Sequence, residues 1–230
     1  MEQLPNGYTL ELSLGAFPLS TDSMVLSHFV KLSANSRVLD LGSGCGTLGL
    51  LLCASRPGCH ITGIESDEAA HRTALENIRR NGLDLRMESL CGDLRQAPAL
   101  FSPGSFGCCV SNPPYFAVGP ASRRTPTARR EDLCSLSELM HAAAWALKYG
   151  GDFFLVHRPE RLAEIITLGA ANAMEAKRVL LVRHSPGKPF SMVLVQLRKG
   201  GKPGVTLEDA SLFTSQGEPT DFYRTIYHLP

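Results

Sequence analysis

The chain has 230 residues, enough for one domain with short additions and a core that needs no staple. Its formal net charge of +1 excludes a strongly basic, whole-surface grip on nucleic acid, leaving only a local basic patch. No apolar stretch approaches the roughly 20 residues that span a bilayer, and the opening MEQLPNGYTLELS lacks the basic and apolar regions of a signal peptide.

In chain order, residues 8–17 alternate and turn at Gly15, which predicts an N-terminal strand or hairpin. Thr21 and Asp22 precede the apolar-periodic Met24, Val25, Leu26, Phe29 and Val30, the pattern of a capped helix. Strand and helix then alternate. Strands are predicted at Arg37–Leu41, His60–Ile64, Leu85–Leu90, Ser105–Ser111 and Asp152–His157. Helices are predicted at Leu48–Ala54, Glu68–Asn81, Ser135–Leu147 and Arg161–Ala173. This order implies an α/β fold, Rossmann-like, with a mostly parallel sheet and helices on both faces. Arg178–Arg183 and Met192–Arg198, joined by SPGKP, read as a C-terminal hairpin. It gives a seven-stranded sheet one antiparallel member. The expected division is an extension over 1–34, a Rossmann-like domain over 35–200, and an appendage over 201–230 packed on it.

Asp40-Leu-Gly42-Ser43-Gly44-Cys-Gly46 follows a strand and opens a helix. Glycines let the backbone turn sharply and approach a ligand, and the helix start offers free N–H groups. Taken alone, the motif also satisfies a dinucleotide spacing through Gly44, Gly46 and Gly49. Glu65, at the end of the second strand of the alternation, can accept from two ribose hydroxyls, and Asp93, after the third, can receive an adenine amine. Acids around the site suit S-adenosylmethionine, which carries a sulfonium and an ammonium, and would repel a pyrophosphate. That disfavours a nicotinamide oxidoreductase.

Ser111-Asn112-Pro113-Pro114-Tyr115-Phe116 closes the fourth strand. Two prolines lock the backbone and remove donors. The Asn112 amide and the Pro113 carbonyl can then face one point and accept both protons of an NH2 group. Such bonds draw a planar nitrogen toward tetrahedral geometry and free its lone pair. Tyr115 or Phe116 can stack on a flat acceptor. Arg123, Arg124, Arg129 and Arg130 follow at once and are candidates for RNA phosphates. Charge alone leaves a solvated loop equally open, with Glu131 and Asp132 partly neutralising it. The seven histidines show no metal-ligand spacing, so no metal and no histidine role are expected. Seven cysteines, without zinc-ribbon or redox spacing, suit a reducing cytoplasm.

DLGSGCG, Glu65, Asp93 and NPPY, in this order, resemble the class I methyltransferases that modify amino groups. Thr21-Asp22-Ser-Met-Val-Leu26, the loop from Pro114 to Gly119, and Ala128-Arg-Arg-Glu131 extend the likeness over nearly the whole chain, to the bacterial tRNA adenine-N6 methyltransferases. That family acts on an anticodon-loop adenine of a valine tRNA. The resemblance implies S-adenosylmethionine as donor and tRNA as partner. It implies Asn112, Pro113, Pro114 and Tyr115 as the catalytic loop, with Gly42, Gly44, Gly46, Glu65 and Asp93 around the donor. Asp40, Ser43 and Asn112 are further donor candidates. Glutamine-amide methylation of a release factor is the competing enzyme reading, disfavoured by the short N-terminal extension. DNA adenine methylation would call for a target-recognition insertion. A non-catalytic RNA-binding module is the competing non-enzyme reading, which an intact Asn112 and Tyr115 argue against.

Overall fold

The computed structural model describes residues 1–5, 7–13, 19–113 and 134–229. Among the described residues the strands are β1 (Glu2–Gln3), β2 (Thr9–Leu10), β3 (Arg37–Leu41), β4 (His60–Glu65), β5 (Met87–Cys91), β6 (Phe106–Ser111), β7 (Leu147–His157), β8 (Met174–Arg183), β9 (Phe190–Lys199) and β10 (Thr206–Ser211). Its helices are α1 (Thr21–Phe29), α2 (Thr47–Ser55), α3 (Glu68–Arg80), α4 (Ala97–Leu100), α5 (Leu136–Ala146), α6 (Leu162–Ala171) and α7 (Asp221–Tyr227).

Eight strands form the main sheet in the order β10-β8-β9-β7-β6-β3-β4-β5. β9 is antiparallel to both its neighbours; the other pairings in this sheet are parallel. Alternate residues of each central strand face opposite cores, as the twofold period of a strand requires. Val38, Cys108, Val110, Phe154 and Val156 pack with α1, α2 and α3, while Leu39, Leu41, Cys109, Phe153 and Leu155 pack with α5 and α6. Burial on both faces is why these strands read as continuous apolar runs.

Helix starts follow local chemistry. Ser20 caps α1 by accepting from Ser23 N, one residue before the expected cap at Thr21-Asp22. Asp67 caps α3 through Ala69 N and Ala70 N, and Ser135 forms a capping box with Glu138 at α5.

Three elements differ from expectation. The N-terminal strand shortens to Thr9–Leu10, paired with β1, and residues 14–18 lie outside the described set. Asn77 of α3 and Asn81, the residue that caps its end, bond the backbone of this segment in place of a ladder partner. Asn81 bonds Thr9 N at 2.9 Å and Thr9 O at 2.8 Å, and Asn77 bonds Glu11 N at 2.8 Å and Glu11 O at 2.9 Å. β5 begins at Met87 because Leu85 is 93% exposed, in the turn after α3. The chain after residue 200 supplies an eighth strand. β10 pairs with β8 from Thr206↔Arg178 to Ser211↔Arg183, its outer edge polar, with Glu208 and Asp209 bonded to Arg178 and Arg183. The hairpin over 185–189 forms where it was expected, with Gly187 at φ 79°.

The order β7-β6-β3-β4 reverses direction between β6 and β3. In an open parallel sheet, a crevice opens beyond the carboxyl ends of strands at such a switch point. The glycine turn leaves β3 there, and Asn112 leaves β6 there.

Candidate donor and acceptor site

A cavity of about 350 Å³ lies at this switch point. Asp40, Gly42, Ser43, Gly44 and Glu65 line it on one side, and Ser111, Asn112 and Pro113 on the other. The glycine turn is folded by backbone bonds to the next strand. Gly42 N and Ser43 N donate to Ile64 O at 3.0 and 3.1 Å, and Gly44 N donates to Glu65 Oε2 at 2.9 Å. Gly42 and Gly44 have φ of 76° and 55°, the left-handed region that side chains avoid. A Cβ added at either would meet nothing within 4 Å, so their bare backbone borders open space.

Asp40 is 1% exposed, and its Oδ2 has no hydrogen-bond partner among the described residues; nor has the buried Ser43 Oγ. Leaving such a group unmade costs about 1–3 kcal/mol. Burial, and secondly the Glu65 carboxylate, push the Asp40 carboxyl up to about 7. Glu65 Oε1 also accepts from Asp67 N at 2.8 Å and from Ser66 Oγ at 3.4 Å, and Oε2, bonded to Gly44 N, keeps a lone pair. Two orphaned polar atoms, an acid pair and bare glycine backbone on one wall suit a cationic nucleoside. S-adenosylmethionine fits this donor set.

Two expected donor residues stand elsewhere. Gly46 does not line the cavity. It caps α2 at φ 84°, and a Cβ there would lie 2.9 Å from Met87 Cε, so its missing side chain serves helix-to-strand packing. Asp93 is also absent from the lining, and Leu94 takes that place as an apolar wall. Asp93 caps the short turn Leu94–Gln96 by accepting from Arg95 N at 2.9 Å. It also pairs with the Arg95 guanidinium, which holds its carboxyl below the ordinary range.

On the acceptor side, Ser111 is fully buried and donates from Oγ to Leu41 O at 2.8 Å. This bond ties the end of β6 to the end of β3 just past their last paired residues. Asn112 Nδ2 donates to Ser23 Oγ at 2.9 Å. Pro114, Tyr115, Phe116, Arg123, Arg124, Arg129 and Arg130 lie outside the described residues.

The sequence reading missed several lining groups. Ser20, Asp22 and Ser23 come from the start of α1, and Leu12 and Ser13 from the segment that Asn77 holds. His157, given no role from spacing, lines the cavity from the end of β7. The signal that could have found it is position, since it closes the strand next to β6 as Asn112 closes β6. Its Nδ1 accepts from Arg158 N at 2.8 Å, which places the neutral ring's proton on Nε2. Burial and then Arg161 pull its pKa down to about 4, so it is neutral at pH 7. No group of three or more His, Cys, Asp or Glu among the described residues could hold a metal ion. No helix among them is long and apolar enough to cross a membrane.

Sheet order, switch-point cavity and glycine turn together define the class: an S-adenosylmethionine-dependent methyltransferase of the Rossmann-like, class I type. Residues 20–176 match the family model of the methyltransferase small domain, and the chain belongs to that family. Among its relatives is a Bacteroides fragilis protein, 31% identical over 183 residues, covering 78% of this chain and 76% of its own length. It is named tRNA1(Val) (adenine(37)-N6)-methyltransferase. A Shewanella protein of the same name is 30% identical over 218 residues, covering 89% of this chain and 91% of its own length. Among solved structures, a predicted O-methyltransferase from Agrobacterium tumefaciens aligns with a TM-score of 0.76 at 21% identity, over 90% of this chain and 96% of that one. Geranyl diphosphate C-methyltransferase from Streptomyces coelicolor, solved with S-adenosyl-L-homocysteine, aligns with a TM-score of 0.58 at 13% identity, over 77% of this chain and 76% of that one. These structural likenesses show the fold.

Proposed function

We propose that this methyltransferase transfers a methyl group to the exocyclic N6 of an adenine in tRNA, in the anticodon loop of a valine tRNA by its relatives' names. The observation that carries the reading is that Asn112 and the glycine turn open onto one cavity. Gly42, Ser43, Gly44, Asp40 and Glu65 would hold the donor. Bound there, S-adenosylmethionine supplies an electrophilic methyl on a sulfonium, a good leaving group.

The chain's own part is alignment. Asn112 Oδ1 and the Pro113 carbonyl accept the two N–H bonds of the acceptor amine, and the nitrogen lone pair is freed from the ring. The proton shed after the N–C bond forms needs no strong base, because an alkylated adenine ammonium is itself a strong acid. By the resemblance Pro114 and Tyr115 belong to the catalytic loop, Tyr115 or Phe116 would stack on the base, and Arg123, Arg124, Arg129 and Arg130 would bind RNA phosphates. Residues 35–200 carry seven strands of the main sheet with the glycine turn and Asn112, and 201–230 add β10 at the sheet's edge. The 1–34 extension contributes to the site as well, through α1. The seven thiols, all free in the structure, suit a reducing cytoplasm, where tRNA is at hand.

The test is incubation with labelled donor and, separately, unmodified tRNA, DNA and a release factor, followed by nucleoside and peptide mass analysis. N6-methyladenosine in tRNA is expected. Label in glutamine alone would overturn the tRNA reading in favour of the amide one.

A further inference from the structure

Ser23 is the third residue of α1, 6% exposed, and borders the cavity. Its Oγ lies 3.3 Å from Ser20 Oγ and 2.9 Å from Asn112 Nδ2. An amide nitrogen offers only protons, so Ser23 is the acceptor in the second contact. Its own hydroxyl proton is then available to Ser20. The residue that caps α1 therefore also touches the one that holds Asn112.

The two ends of a carboxamide have nearly the same shape and opposite hydrogen-bonding roles. With Nδ2 held against α1, Oδ1 is turned away from the helix, and it has no hydrogen-bond partner among the described residues. We propose that Ser23 is a positioning residue that decides which end of the Asn112 amide meets the acceptor nitrogen. The inference rests on the reading of Asn112 as the group that grips the acceptor amine. Turned by 180°, the amide would set its own NH2 against the acceptor NH2, donor against donor. The anchor reaches across 89 residues of sequence, from the extension to the end of β6.

Ser23→Ala removes the anchor and leaves a side chain that fits a buried helical position. It is expected to lower kcat for tRNA about tenfold while leaving the donor's KM within about twofold, since a small misplacement of an aligning group acts on the transfer step. Asn112→Asp provides the control, because both ends of a carboxylate accept and orientation loses its meaning. In that background Ser23→Ala is expected to cost less than about twofold, which gives the pair a measurable coupling in a double-mutant cycle.

A second readout is independent of turnover. The side-chain amide pair of Asn112, identified in a ¹⁵N–¹H spectrum as the signal lost in Asn112→Asp, is expected to show one slowly exchanging proton. Ser23→Ala should abolish that protection. Unchanged amide signals in Ser23→Ala would overturn the inference, and so would an equal kinetic cost in both backgrounds. A wild-type protein that methylates no amine, while its Asn112 amide still responds to Ser23→Ala, would overturn the functional reading instead.

Discussion

The two walls of the cavity are built differently. The donor wall is mostly backbone: a five-residue turn whose first three N–H groups are spent on Ile64 O and Glu65, with Gly42 and Gly44 where the chain passes open space. The acceptor wall is made of side chains that bond across the fold, Ser111 to the end of β3 and Asn112 to α1. A backbone wall is specified by a short stretch of sequence. A side-chain wall is specified only once the sheet has brought distant segments together. The donor wall should therefore be sensitive to added volume, and the acceptor wall to the loss of single polar atoms.

The largest break of that contrast should come from Asn112→Ala. It removes the group proposed to accept an amine proton, and a loss of about 10²–10³-fold in kcat is expected, the scale seen when one electrostatic stabiliser is deleted. Donor affinity, read by calorimetry, should stay within about twofold. Equal loss of binding and transfer would show that Asn112 belongs to the donor wall. Next in size is the joint replacement of Arg123, Arg124, Arg129 and Arg130 by Gln. RNA binding should weaken, and the slope of log affinity against log salt should fall by up to about 3, at roughly 0.7 per phosphate on a single strand. An unchanged slope removes these arginines from the RNA contact.

The glycines sharpen the comparison from the donor side. Gly44→Ala places a methyl beside the cavity at a φ that costs about 1–2 kcal/mol, and donor affinity should drop about tenfold. Gly46→Ala meets Met87 instead. It should lower the melting temperature by several degrees, at roughly 2–4 °C per kcal/mol for a chain of this size, and leave donor affinity nearly intact. If both variants lost affinity alike, the turn would be a single unit, and the division between ligand-facing and packing glycines would fail.

Much of this was legible in the sequence. RVLDL and DFFLVH are apolar runs long enough only for strands, and the glycine turn between β3 and α2 is contiguous, so the fold class and the place of the turn could be read directly. The place of Asn112 and Pro113 at the cavity was legible from their position at the end of a strand. Ser23 was not, since a serine in the first turn of a capped helix carries no mark of a partner 89 residues away. β10 escaped because TLEDAS is polar at an exposed sheet edge, where strand periodicity carries little apolar signal. Asp93 lies off the cavity lining, and its pairing with Arg95, two residues later, depends on side-chain geometry that the acid's position after a strand does not reveal.

The smallest expected effect on donor affinity is also the one that tests the electrostatics of the donor wall. In the free protein Asp40 keeps its proton up to about pH 7, because it is buried and faces Glu65. In the unfolded chain the same carboxyl releases it near pH 4, at roughly 3.9. Between these values the native state binds more protons than the unfolded state. The Asp40 contribution to stability is therefore fully present below about pH 4, declines as pH rises toward 7, and is gone above it. Asp40→Asn has no such proton to lose, so its stability relative to wild type should improve across that window and level off beyond it. A cationic donor favours the ionised form, so donor affinity of the wild type should rise a few-fold from pH 6 to 8. In Asp40→Asn that rise should be missing and affinity at pH 8 weaker. His157, held near 4, does not titrate in this range, and any ionisation of the donor itself is common to both proteins. The difference between the two profiles therefore reports Asp40 alone. Parallel profiles, measured by calorimetry at pH 6, 7 and 8, would mean that the acid in the glycine motif shapes the turn without sensing the charge bound beside it.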